Sequence, residues 1–182
     1  MKIEFEVIGT SPLLMHNPAG MSASNIGVGT KKIPTPEEEA RAGTYKLDSG
    51  QLYLPCYGFH RGILNASAGR RIGTISAKRK VQGSLFITED KIPISHPATW
   101  EPIMTWDEID IRTVVIQRHR IIRARAKINE WGCHVIFDCD EEFLKPKWVE
   151  ELFHLAGKTQ GMLDYRPACG GPFGRYTIRL VE

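Results

Sequence analysis

The chain has 182 residues, 42% of them hydrophobic and 25% charged, with a formal net charge of +3. That size suits one domain with a sizeable core, and no apolar run approaches the length of a membrane span. The four cysteines contain no Cys-x-x-Cys pair, so neither a metal knuckle nor a disulfide framework is expected.

Residues 2–9 alternate Ile3, Phe5 and Val7 with Lys2, Glu4 and Glu6, which predicts a first strand with one buried face. The chain enters this alternation directly, without the apolar stretch of a signal peptide. A cytoplasmic or virus-infected-cell setting is therefore expected. Ser11-Pro12 ends the strand, and the apolar Leu13, Leu14 and Met15 tuck against the core before His16-Asn17-Pro18 turns. Residues 25–35 lack periodicity and read as a mobile loop. Thr35-Pro36-Glu37-Glu38 is a helix start, with a Thr cap, Pro in the first turn and acids where the helix dipole favours them.

Residues 45–54 read as a hairpin turning at Asp48-Ser49-Gly50, and Pro55 stops it. A helix follows over 57–68 with Phe59, Ile63, Leu64 and Ala68 inward, closed by Gly69. Residues 75–81 predict one or two helical turns, then short extended pieces lie at 84–87 and 92–94, and residues 99–106 form a linker. Residues 131–140 alternate again with Cys133, Val135, Phe137 and Cys139 on one face. A long hairpin with the preceding basic strand is expected. An amphipathic helix over 145–156, a glycine-rich loop over 161–174 and a last strand over 176–181 complete the chain. The predicted fold is α+β, a ferredoxin-like (RRM-like) β-α-β-β-α-β core, as a single domain with insertions at about 11–44 and 70–106. The open sheet face of such folds commonly serves as a platform for single strands.

The modest net charge conceals a polarised chain. Residues 70–80 hold Arg70, Arg71, Lys78, Arg79 and Lys80, and residues 111–127 hold Arg112, Arg118, Arg120, Arg123, Arg125 and Lys127, with no acid in either stretch. Removing these eleven from 24 cations leaves 13 against 21 acids, a balance of −8 elsewhere. Local polyanion recognition on an acidic body is the implied class. Residues 114–127 are read as one long strand, within which the cations change parity across Ile121-Ile122. A bulge there would put all five cations on one face, whereas an uninterrupted register would divide them between opposite faces.

Three features together resemble the RAMP superfamily, the RNA-binding proteins of CRISPR effector complexes. They are the segment from Leu52 through Pro55 to Arg61-Gly62-Ile63-Leu64, the loop Gly170-Gly171-Pro172-Phe173-Gly174-Arg175, and the β-α-β-β-α-β order with a basic insertion. The resemblance extends to small RAMP-like proteins of phages and mobile elements, although Cys56 stands where glycine is usual. It implies sequence-tolerant binding of single-stranded nucleic acid, RNA favoured over DNA, within a ribonucleoprotein. It also implies a thumb-like role for the insertion and head-to-tail homo-oligomers on the strand; contacts that do not close would give a filament.

In that arrangement Arg118, Arg120, Arg123, Arg125 and Lys127 neutralise phosphates, while Lys78, Arg79 and Lys80 act as a mobile clamp. Arg61, Arg166 and Arg175 contact phosphate, and Phe173 stacks on a base. Gly170, Gly171 and Gly174 either admit a ligand close to the backbone or form a tight self-packed turn. No Walker loop, nucleophile elbow or paired-carboxylate spacing is present, so no cofactor or metal is expected. The enzymatic alternative is a metal-independent endoribonuclease using His16 or Asp164. A third reading is a phage structural protein whose basic face meets an acidic protein partner.

Overall fold

The computed structural model describes residues 1–23, 34–116 and 118–181. The first half contains β1 (Lys2–Gly9), β2 (Leu13–Met15), α1 (Pro18–Ala23), α2 (Pro36–Ala42), β3 (Tyr53–Pro55), α3 (Tyr57–Ala66), β4 (Arg71–Ile72), β5 (Ile75–Ser76), α4 (Ala77–Ser84) and β6 (Leu85–Ile87). The second half contains β7 (Lys91–Pro93), β8 (Glu108–Ile116), β9 (His119–Ile128), β10 (Gly132–Cys139), α5 (Pro146–Thr159) and β11 (Tyr176–Leu180). The fold is mixed α+β, and its sheets pair antiparallel. A four-stranded sheet runs β11-β1-β10-β6, and a three-stranded sheet runs β2-β9-β8.

Alternation determines which face of the first sheet is covered. Ile3, Phe5 and Val7 of β1 lie opposite Phe137, Val135 and Cys133 of β10, and all six are buried. α3 and α5 supply the apolar cover. Phe59 and Ile63 point inward from α3, and Val149, Leu152, Phe153 and Ala156 from α5. Each large apolar side chain taken from water contributes roughly 1.5–3 kcal/mol. Leu13, Met15, Ala126 and Ile128 of the second sheet join the same hydrophobic cluster, so one core serves both sheets. The other face of the first sheet presents Glu4, Glu6 and Asp138 with Lys2, His134 and Arg179. Glu4 pairs with His134 and Glu6 with Arg179, and the Trp100 ring lies 4.5 Å from the His134 ring. The surface expected to be a strand platform is rich in carboxylates.

Local signals in several elements act as their chemistry requires. Thr35 Oγ1 accepts from the Glu38 amide at 3.2 Å while Glu38 accepts from the Thr35 amide at 2.8 Å, a reciprocal capping box that starts α2. α3 ends near Gly69, whose φ of +73 suits a residue without a Cβ.

Three expectations change. The hairpin over 45–54 reduces to a single bridge, Lys46 to Leu52, and β3 pairs with β7 instead. The basic stretch is a hairpin in itself, because the chain reverses between Ile116 and His119. Its turn includes Arg118 at φ +68, without the Asn-Gly or Asp-Gly pair that normally advertises such a reversal. Finally, β10 pairs with β1 and β6, not with the basic strand. Its four inward apolar residues match β1, whereas the distal half of β9 exposes Ile122 and Arg120 and fits no buried sheet centre. Of the loop expected over 25–35, residues 25–33 lie outside the described residues.

Candidate functional site

The β8–β9 register is uninterrupted: Glu108 faces Lys127, Asp110 faces Arg125, Arg112 faces Arg123 and Val115 faces Arg120. No bulge intervenes at Ile121-Ile122. Because side chains alternate along a strand, Arg123, Arg125 and Lys127 share one face and Arg120 belongs to the other, with Arg118 in the turn. The single five-cation track is therefore corrected to two patches.

One of those patches is neutralised by the protein itself. Arg123 donates to buried Glu39 at 3.0 Å, and Glu39 also accepts from the Ala124 amide at 3.1 Å. Arg125, itself buried, pairs with Asp164. Lys127 pairs with Glu108 at 3.0 Å, and hydrogen bonds from Asn129 and then Lys127 hold the Glu108 carboxyl below its ordinary pKa. Arg112 pairs with Asp110 at 2.8 Å and lies 4.8 Å from the Phe173 ring centre. These pairs remove Arg123, Arg125 and Lys127 from the expected phosphate track.

The glycine loop is likewise occupied by its own chain. A Cβ on Gly171 would meet the Tyr165 carbonyl oxygen at 1.9 Å, and one on Gly174, at φ +67, would meet that of Met162 at 2.0 Å. The tight-turn alternative explains both, whereas Gly170, at φ +76, faces open space. Phe173 is 7% exposed and covered by Arg112, so no face is left for a base. Arg175 is exposed; its amide donates to Ser11 Oγ, while its side chain has no partner among the described residues.

On α4, Lys78 and Arg79 are exposed. Lys80 does not belong to a mobile clamp: its ammonium donates to the Phe143 carbonyl and lies 4.5 Å from that ring centre. Ala77, Val81 and Ser84 are buried beneath the helix.

A cleft of about 240 Å³ brings together residues that sequence reasoning singled out one by one. It lies between the end of β2, the start of α3 and the loop after α5, and His16, Arg61, Asp164 and Arg166 all line it. Arg61 is exposed on α3, and its side chain has no hydrogen bond or ion pair among the described residues. Arg166 donates to the Leu163 carbonyl at 2.7 Å, leaving other donors available. Asp164 sits between Leu163 and Tyr165, whose φ values of +59 and +47 are left-handed for non-glycine residues. Tyr57, 65% exposed, and Asn65 also line the cleft.

Sequence reasoning missed Tyr57, Asn65 and one simple signal: residues 49–88 contain six cations and no acid. Burial, reinforced by Arg125 and Arg123 and opposed by Asp164, holds His16 below its ordinary pKa of 6.5. The imidazole is therefore neutral at pH 7, able to accept a proton or a hydrogen bond.

Burial also lowers His60 from 6.5, with partial opposition from its hydrogen bond to the Leu85 backbone, and its Nε2 is buried without a partner among the described residues. The unfolded chain takes up these protons near pH 6.5 while the folded chain resists them. The stability contributed by neutral His16 and His60 is thus complete above about pH 6.5 and declines as pH falls. Melting temperatures measured from pH 7.5 to 5.5 should fall in that window. Replacing both histidines by glutamine should flatten the slope, and an unchanged slope would refute the assignment.

No protein-family model matches this chain, and no curated protein matches it.

Proposed function

We propose that this protein binds single-stranded nucleic acid, RNA favoured, through the basic surface of α3 and α4 and the adjoining cleft. The observation that carries the reading is the acid-free stretch 49–88. Arg61, Arg70, Arg71, Lys78 and Arg79 are all exposed there, and none is held by a carboxylate among the described residues. A flexible polyphosphate gains most where cations are uncommitted, because the gain comes from released counterions. Arg118, Arg120 and Arg175 are further exposed cations with no carboxylate partner among the described residues. The order β11-β1-β10-β6, with α3 and α5 as the connecting helices, supports a ferredoxin-like core, the arrangement that the RAMP resemblance implies. Head-to-tail association of copies along the strand belongs to the same reading.

The test is a titration with a labelled single-stranded oligonucleotide at two salt concentrations. About four phosphate contacts predict a loss of roughly 50-fold in affinity between 50 and 200 mM salt. Lys78→Ala with Arg79→Ala should lower the slope by about 1.4 in log–log terms. Undetectable binding at 50 mM salt would refute the reading and favour an acidic protein partner. A second reading, endoribonuclease activity, is favoured by His16 and Asp164 sharing one cleft. Strand scission abolished by His16→Ala would establish it, and an intact strand on a denaturing gel would exclude it.

A further inference from the structure

The cleft differs in kind from the surface beside it. A groove that holds only backbone phosphates needs cations, and a carboxylate within it repels the ligand. Here Asp164 lines the same cleft as Arg61 and Arg166, alongside an exposed tyrosine and the polar His16 and Asn65. Of these, the side chains of Arg61, Asn65 and His16 have no hydrogen-bond partner among the described residues. Uncommitted polar groups converging on a concave site mark recognition of a small polar ligand. Cations, a carboxylate and an aromatic ring together suit a ligand with an anionic group, hydrogen-bond donors and a flat π-face. A nucleotide has all three.

The donor and acceptor pattern narrows the choice of base. Asp164 receives Arg125 on one oxygen and the Tyr165 amide at 3.0 Å on the other, which leaves an accepting position on each. Two carboxylate oxygens side by side match two adjacent donors. Guanine offers these as N1–H and N2–H₂, whereas uracil has a single ring N–H and adenine and cytosine have one amino group each. Guanine also presents O6 and N7 as paired acceptors, the pattern that an arginine fork reads.

We infer that the cleft selects one guanine base, with Asp164 accepting from N1–H and N2–H₂, Arg61 donating to O6 and N7, and Tyr57 stacking on the ring. The inference rests on the strand-binding reading and adds base preference to it; the site serves a free guanine nucleotide or a guanine within a strand. His16 and Asn65 are left for the ribose, and Arg166 for the phosphate.

Calorimetric titration of the full chain with 5′-GMP, AMP, CMP and UMP, beside oligouridine with and without one central guanosine, tests the inference. GMP should bind about tenfold more tightly than the other three, and the single guanosine should raise oligonucleotide affinity similarly. Arg61→Ala, at an exposed helical position, should abolish the preference. So should Asp164→Asn combined with Arg125→Met, which leaves no buried charge unpaired. Equal or undetectable binding of all four nucleotides, with oligouridine still bound, would overturn guanine selection and leave strand binding standing. GMP selectivity without any oligonucleotide binding would support the cleft assignment for free nucleotide and overturn strand binding. No binding of either ligand would overturn both.

Discussion

Phe153→Ala is expected to destabilise the protein by about 3–5 kcal/mol, a large part of the total stability of an ordinary domain. The side chain is fully buried on α5, where that helix meets the sheet and α3. Its ring centre lies 5.4 Å from that of Phe5, 5.7 Å from Phe59, 5.2 Å from Phe137 and 5.5 Å from Tyr176, all in edge-to-face contact. Those partners come from β1, α3, β10 and β11, so four elements would have to shift together to close the cavity. They resist because each is held by its own ladder or helix. Aromatic pairs add about 0.5–1.5 kcal/mol each beyond the area buried. Urea titration should show a lower midpoint with unchanged slope, and Phe153→Leu should lose less. A loss below about 1 kcal/mol would mean that the core repacks freely.

The second large effect is electrostatic. Asp164→Ala should cost about 3 kcal/mol, because it strands the Arg125 guanidinium in a site where that side chain is 9% exposed. Asp164 is 33% exposed, so water reaching the gap keeps the loss at the lower end of the range for broken buried pairs. Arg125→Met combined with Asp164→Ala should recover much of the loss, since neither charge then needs solvation. A double-mutant cycle in urea gives the coupling directly. Additive losses would show that the pair contributes nothing beyond its separate members. The same cycle reports how firmly the loop after α5 is fastened to the hairpin, since Arg112 grips Tyr165 and Phe173 nearby.

Much of the fold was legible because local periodicity carries it. β1 and β10 announce themselves through alternation, α5 through its apolar stripe, and α2 through a Thr-Pro-Glu-Glu start that becomes a capping box. The reversal between Ile116 and His119 was not legible. Both arms of that hairpin are β-branched and basic, and no glycine or asparagine separates them, so one long strand satisfies the same local rules. Four members of the cleft were identifiable singly, His16 and Asp164 as acid–base groups and Arg61 and Arg166 as phosphate contacts. Their convergence was not.

What the amino-acid order determined by itself is which residues alternate, where helices begin and where charge of one sign accumulates, since each depends on neighbours within a few positions. What only the tertiary structure decided is which charges remain available. Arg123 meets a carboxylate 84 positions away, Arg125 one 39 away and Lys127 one 19 away. Coulomb attraction depends on distance in space and on burial, and neither is a function of separation along the chain. Arg123, Arg125 and Lys127 of a run of cations on paper therefore became internal ties, while Arg61 of α3 and Lys78 and Arg79 of α4 are exposed with no carboxylate partner among the described residues.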